Sequence, residues 1–353
     1  MLNHSASPSF AVVPGRFVQR VLAGREREVI DLVESAYRQH GSGDTVNPPS
    51  YFLRFPDRPK ERIIALPAAV GGDVRTAGLK WISSFPDNVG AGLPRASAIL
   101  LLNDLDTGYP YACLEGSVIS ASRTAASAAL AAVTLARGRS RLGRVGFVGT
   151  GLIAKYIHTY LAAADWPFER IGVYDTSADR VRDFSMQLRQ TTRIPIEAFT
   201  SAEDIIRASD VIVFATTAGT PHVDDPKWFA HAPLVLHVSL RDVSPEVVLY
   251  AANFVDDVEH CLKADTSVHL TEQRTGGRDF LDGTLYDVLT GEVTPSTDRT
   301  VLFSPFGLGV LDLVLGSFVY QECLSAGELS TIDGFFSELE PPGIVARAES
   351  EGA

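Results

Sequence analysis

From residue 144 onward, short apolar runs alternate with segments whose apolar positions recur at helical spacing. Strands are predicted at 144–149, 170–175, 196–199, 211–216, 234–240 and 254–257, with helices at 151–164, 177–190 and 202–208 between them. This alternation predicts an α/β fold, a doubly wound parallel sheet of the Rossmann type. Residues 1–136 are patterned differently: an amphipathic helix over Glu26–His40 is followed by strand-like runs at Arg62–Pro67, Thr76–Ile82 and Ala98–Asn103, an α+β arrangement. A basic, glycine-punctuated segment, Arg137 to Gly143, separates the two and marks the boundary between a domain at 1–136 and one at 137–303. Past Ser304–Gly309, the apolar helix Val310–Cys323 repeats Leu311, Val314, Leu315, Phe318 and Val319 at helical spacing and needs a surface to pack on. Residues 304–353 are therefore expected to return to the first domain, leaving an active site in the cleft between the domains. The acidic last dozen residues are expected to fray.

The first strand of the second domain runs directly into Gly149-Thr150-Gly151-Leu152-Ile153-Ala154, and Asp175 closes the next strand. In such a strand–turn–helix the first glycine permits the tight turn, and the second lets backbone N–H groups approach a pyrophosphate at the helix N-terminus. Ala154 allows close helix packing. The flanking strands and helix supply the context that the bare glycine spacing lacks. A carboxylate at the position of Asp175 accepts from ribose hydroxyls and repels a 2′-phosphate, which favours NAD over NADP. Arg180 and Arg182 read as the solvated face of the following helix.

Composition narrows the partners. The chain has 353 residues, is 45% hydrophobic and carries a net charge of −12, so it can bury a large core and offers no basic surface for nucleic acid or an anionic membrane. Cys113, Cys261 and Cys323 are isolated, which suggests neither a metal site nor a disulfide framework and fits a reducing cytoplasm. The longest apolar run, Ala125–Ala136, is too short to span a bilayer, and the N-terminus does not read as a secretion signal.

Against this acidic background Arg54, Lys80, Arg95 and Arg123 stand outside any obviously charge-paired helical face. Each could bind a carboxylate, although any one taken alone also reads as a surface ion pair. Asp242 follows a sheet strand at the end where open α/β sheets place their ligands. It reads either as a general base or as the cap of a helix starting near Pro245, a role open to Ser244 as well. Thr216 and Thr217 either line the nicotinamide side of the site or make its turn. His237, in an apolar strand, reads as a core residue.

Several stretches together resemble the ornithine cyclodeaminase/mu-crystallin family: Gly78-Leu79-Lys80-Trp81-Ile82, Arg95-Ala96-Ser97, Leu102-Asn103-Asp104, Thr107-Gly108-Tyr109-Pro110, Glu115, and Ile119-Ser120 with Arg123-Thr124-Ala125-Ala126. The resemblance covers nearly the whole chain. It implies a substrate-binding and dimerisation domain completed by the last helix, a Rossmann domain holding NAD(P), a homodimer, a carboxylate-binding trio at Arg54, Lys80 and Arg123, and an acid/base aspartate at Asp242. Thr124 and Ser239 join Gly149, Thr150, Gly151, Leu152, Ile153, Asp175, Thr216 and Thr217 in the expected cofactor set.

Two departures from the cyclodeaminase pattern, Trp81-Ile82-Ser83-Ser84-Phe85-Pro86 after Lys80 and Leu240-Arg241 before Asp242, argue against ornithine. The pattern is similar instead to the family's 2,3-diaminopropionate branch. That resemblance implies NAD-dependent cleavage of N-(2-amino-2-carboxyethyl)-L-glutamate to L-2,3-diaminopropionate and 2-oxoglutarate, for a siderophore or peptide antibiotic. It also implies a companion PLP-dependent synthase joining O-phospho-L-serine to L-glutamate. Arg54, Lys80, Arg95 and Arg123 would offset the three carboxylates, Lys80 would also stabilise developing charge, and an apolar wall near Trp81 would exclude water. The alternatives are ornithine cyclodeaminase, another amino-acid or imine oxidoreductase of the same fold, and a mu-crystallin-like binder without turnover.

Overall fold

The computed structural model describes residues 9–336, so the expected fraying of the last dozen residues lies outside them. Two eight-stranded sheets form the framework. The second is entirely parallel. Its strands, named by their first residues, lie in the order 196, 170, 144, 211, 234, 301, 252, 281, so the chain reverses direction between the Arg144–Val148 and Val211–Phe214 strands. That reversal opens a crevice at the carboxyl ends of the strands, where ligands bind in this architecture. Strand alternation sends Val145, Phe147, Val213, Leu236 and Phe303 into one core and Val148, Phe214, Val235 and Leu302 into the other, with helices on both faces.

The expected elements 144–149, 170–175 and 202–208 appear as Arg144–Val148, Arg170–Tyr174 and Ala202–Ala208. Two strands of the parallel sheet, Leu281–Thr284 and Val301–Ser304, were not expected. The strand predicted over 234–240 ends at His237, where the chain turns at Val238 and Ser239, and Leu240 takes a left-handed backbone with φ +70°. The last predicted strand lies two residues earlier, at Ala252–Val255.

The first sheet is mixed and mostly antiparallel. Its centre is Arg58–Val70, Thr76–Ser84, Ala96–Asp104 and Pro110–Glu115, with the shorter Tyr51–Phe55 strand pairing with Arg58–Val70. Leu66, Ala68, Leu100 and Leu102 on one face are buried, and the C-terminal helix Gly309–Ser325 packs against these strands. The approach is close: a Cβ on Gly309 would lie 3.0 Å from the Ala68 Cβ and 3.1 Å from the Leu66 carbonyl oxygen.

The helix Ser117–Leu135 ties the two sheets together. It touches Glu26–Gly41, Leu152–Ala163 and the Leu234–His237 strand, and Ala125, Ala126, Ala128, Ala129, Ala131 and Ala132 are all fully buried in those contacts. Small side chains let three helices approach closely, which explains the alanine run. This helix is longer than the run expected from sequence. It is long and apolar enough to cross a membrane, but 78% of that stretch is buried inside the fold. One continuous core runs from the first sheet through this helix to the near face of the parallel sheet.

Candidate active site

The turn after the first parallel strand has the geometry that its glycines require. Gly149 has φ +88°, and a Cβ there would meet the Ala215 carbonyl oxygen at 2.6 Å and the Thr216 nitrogen at 2.9 Å. Gly151 caps the Leu152–Ala163 helix, has no side-chain cap, and faces open space where a Cβ would sit. The fold itself therefore does not demand glycine at 151. The free N–H groups of that helix start and the cleared space beside them fit a dinucleotide pyrophosphate. At the start of this helix Leu152 is exposed and Ile153 half-buried. Asp175 accepts from the Thr150 N–H (2.9 Å) and hydroxyl (3.1 Å) on one oxygen and from the Ser177 N–H (3.0 Å) on the other. These donors hold its carboxylate in place at the strand end and leave lone-pair capacity for a ribose hydroxyl. Arg182 pairs with Asp179 and Arg180 is exposed.

Asp242 is fully buried directly beyond that turn. Thr216 and Ser239 donate hydroxyl hydrogen bonds to its two oxygens, and His222 Nε2 lies 3.3 Å from Oδ1. His237 Nε2 is 3.1 Å from the Asp242 backbone nitrogen and 3.2 Å from its carboxylate. Its Nδ1 lies 3.1 Å from Ser304 Oγ, so both ring nitrogens have partners inside the fold, which makes His237 the core residue expected from its strand. Burial alone would push the carboxyl up, but the hydrogen bonds, led by that of His222, outweigh it and hold Asp242 well below the usual carboxylate range. The alternative capping role does not apply: the cap position of the Pro245–Tyr250 helix is Ser244. Thr217 is exposed and joins none of these bonds, and the Thr124 hydroxyl donates to the Ser120 carbonyl within its own helix.

Lys80 and Arg123 meet at a carboxylate that sequence reasoning missed. Lys80 Nζ lies 2.6 Å from Asp312 Oδ2 and Arg123 Nε 3.0 Å from Oδ1, with Lys80 also donating to Ser120 Oγ (3.1 Å). All three charged side chains are nearly or wholly buried. Burial and the neighbouring Arg123 lower Lys80 to about 8, against the opposing pull of Asp312. Two cations share this one carboxylate, and a substrate carboxylate could supply the second counter-charge. Gly307 (φ +91°) makes room for the Arg123 guanidinium, with which any Cβ there would collide. The signal for Asp312 was present in the sequence: an aspartate inside an otherwise apolar, buried helix must have a cationic partner.

Further along the same face of the first sheet is a second group of cations. Arg54 and Arg62 are direct cross-strand partners, Arg62 pairs in turn with Ser84, and Arg95 Nη1 donates to Ser84 Oγ (2.9 Å). Arg241, from the turn after the Leu234–His237 strand, reaches the same group and donates to the Ala264 carbonyl (2.7 and 3.1 Å). Burial lowers Arg62, and Arg241, Arg95 and Arg54 lower it further. Among the described residues, none of these four arginines has a carboxylate partner within 4 Å. Like charges placed directly across a sheet are destabilising unless an anion joins them. Ser84 lies four residues beyond Lys80, so the two cation groups are about 14 Å apart along the strand at 3.4 Å per residue. Arg62 and Arg241 were not among the expected site residues. One correction concerns Trp81: it points to the opposite face from Lys80 and is 38% exposed, so within one chain it does not wall this pocket.

A parallel sheet reversing at a glycine turn, an acidic strand end and a buried carboxylate in the crevice define a dinucleotide-binding oxidoreductase fold. More specifically, the model of the ornithine cyclodeaminase/mu-crystallin family matches residues 22–327, and the chain belongs to that family. It is 29% identical to the N-((2S)-2-amino-2-carboxyethyl)-L-glutamate dehydrogenase of Staphylococcus aureus, over 83% of this chain and 89% of that one. Among solved structures it is similar to CmnK (32% identity, TM-score 0.83, 94% of this chain and all of that one). It is also similar to an archaeal alanine dehydrogenase dimer with bound NAD (25% identity, TM-score 0.81, 93% of this chain and all of that one).

Proposed function

We propose that this protein is an NAD-dependent dehydrogenase that cleaves N-(2-amino-2-carboxyethyl)-L-glutamate to L-2,3-diaminopropionate and 2-oxoglutarate. The observation that carries the substrate is the set of arginines without an ion-pair partner within 4 Å, Arg54, Arg62, Arg95 and Arg241, lying beyond Lys80 and Arg123. One carboxylate would complete the Lys80–Arg123–Asp312 charge set, and the other two would neutralise the arginines. Ornithine carries one carboxylate and a distal ammonium, which this second group would repel. Alanine would leave the group unused.

Gly149–Ile153 and Asp175 would hold NAD⁺, which would supply the hydride acceptor. Around it, Lys80 and Arg123 orient the carboxylate beside the reacting carbon, and the Lys80 charge favours the polarised imine that water attacks. Leu240, in the left-handed region that favours glycine, accepts that backbone strain next to Arg241, at the place where the cyclodeaminase pattern has glycines.

The direct test mixes the protein, NAD⁺ and N-(2-amino-2-carboxyethyl)-L-glutamate, following NADH absorbance with mass spectrometry of products and running L-ornithine and L-alanine in parallel. Stoichiometric NADH with 2-oxoglutarate and diaminopropionate is expected. Ammonia and proline from ornithine would refute the reading. Arg62→Ala and Arg241→Ala should each raise KM roughly ten- to a hundredfold, the loss of one charged hydrogen bond, while leaving the NAD Kd unchanged. An unchanged KM in both would remove these arginines from the substrate site.

Opposite Lys80, the outer face of the first sheet exposes Tyr51 (70%), Leu53 (47%), Trp81 and Ile99 (42%) in neighbouring rows. We infer that a second copy of the chain covers it, since such a patch on a soluble chain marks an interface, and the related archaeal alanine dehydrogenase is a dimer. Trp81→Glu should convert a dimer to a monomer in light scattering; a wild type that is itself monomeric would overturn this. The reading further places the enzyme in the cytoplasm, downstream of a PLP-dependent synthase, supplying diaminopropionate for siderophore or peptide-antibiotic assembly.

A further inference from the structure

Asp242 is poorly placed to exchange protons by itself. It is fully buried, both oxygens accept hydrogen bonds, and its ionised form is strongly favoured, so it is a weak base with no contact of its own with water. His222, whose side chain is 40% exposed, is the titratable member of the cluster that reaches the surface. Its position is fixed twice. Nε2 faces Asp242 Oδ1 at 3.3 Å, and the backbone N–H groups of His222 and Val223 donate to the Asp242 carbonyl at 2.9 and 3.0 Å. Among the described residues, no residue other than His222 itself hydrogen-bonds its Nδ1. The pair also adjoins the dinucleotide turn, since Thr216, which donates to Asp242, abuts Gly149.

We propose that His222 takes the proton from the reacting amine and passes it to solvent, with Asp242 acting through it as the positioning residue that fixes the ring and stabilises its imidazolium. This rests on the dehydrogenase reading above. The substrate ammonium loses one proton to neutral His222, and the α-carbon then gives its hydride to NAD⁺. Water adds to the imine carbon and its proton leaves by the same route. The C–N bond breaks as the departing amine is reprotonated, and one net proton reaches solvent.

Besides each other, the titratable groups facing the pair are Asp224 on the side of His222, with His237 and Arg241 beside Asp242. The hydrogen bond to Asp242 raises His222 above its ordinary 6.5, against the opposing effect of burial. Oxidation needs the neutral ring, so kcat/KM should rise with pH through a midpoint above 6.5.

His222→Gln keeps a donor for Asp242 but cannot titrate. It should lower kcat about a hundredfold or more, abolish that acidic limb and leave the NAD Kd unchanged. A variant that keeps both the limb and a near-wild-type rate overturns the proposal. An independent arm follows the His222 ring by NMR, assigned by its loss in His222→Gln: its midpoint should fall in Asp242→Asn, and an unchanged midpoint also overturns it. The limb is read with whichever amino acid the wild type oxidises, so silence on N-(2-amino-2-carboxyethyl)-L-glutamate alone counts against the substrate reading and not against the pair.

Discussion

Asp312→Ala is expected to destabilise the protein by about 3–5 kcal/mol, the usual consequence of removing one partner from a buried ion pair. Lys80 and Arg123 would both remain in the interior, one fully buried and the other 8% exposed, with no carboxylate between them. The loss should have a pH signature. Lys80 is already lowered from 10.5 to about 8 by burial and Arg123, and losing Asp312 lowers it further. Between that folded value and 10.5 the unfolded chain binds more protons, so stability should rise with pH across this window. Arg123 cannot shed its charge and limits the recovery. Urea denaturation at pH 7 and pH 10 tests both points. Replacing the whole set, Lys80→Met with Arg123→Met and Asp312→Leu, should recover most of the stability while abolishing substrate binding. A small loss in Asp312→Ala with no pH dependence would show that the three charges are not coupled in the fold.

That charge set also shows where sequence reasoning reached its limit. Most of the parallel sheet was legible because its strands are short apolar runs, although Val301–Ser304, also apolar, was passed over beside the following Pro-Gly segment, and the glycine turn has a physical reason at each position. Leu281–Thr284 was not legible, since Leu-Asp-Gly-Thr has neither alternation nor an apolar run, and only its neighbour Ala252–Val255 makes it a strand. Lys80 and Arg123 were singled out through resemblance, but their shared partner arrives from a helix almost two hundred residues later, with a sequence separation of 189 from Arg123. Arg62 looked ordinary within its strand. Its meaning depends on the register that puts Arg54 across from it and on a turn from the other sheet that brings Arg241 near, and neither is a property of local sequence. Trp81 was misjudged for a simpler reason: it neighbours Lys80 in sequence, and in a strand that places it on the other face.

Asp242→Asn is expected to reduce turnover by about 10²–10⁴-fold, the range for losing acid–base assistance, with the NAD Kd within twofold of wild type. The two effects separate because the residues proposed for the dinucleotide, Gly149, Gly151 and Asp175, are held by the Ala215 backbone, the Thr150 and Ser177 N–H groups and their own helix, and none depends on the Asp242 charge. The amide is nearly isosteric and can still accept from Thr216 or Ser239, so the fold should survive, which a thermal melt would check. What it removes is the negative charge facing His222 Nε2 at 3.3 Å. Stopped-flow measurement of the first turnover, with NADH absorbance as the signal, distinguishes a slow chemical step from slow product release. If the variant formed NADH in that first turnover at the wild-type rate, Asp242 would have no part in hydride or proton transfer, and its burial among Thr216, Ser239 and His222 would be structural only.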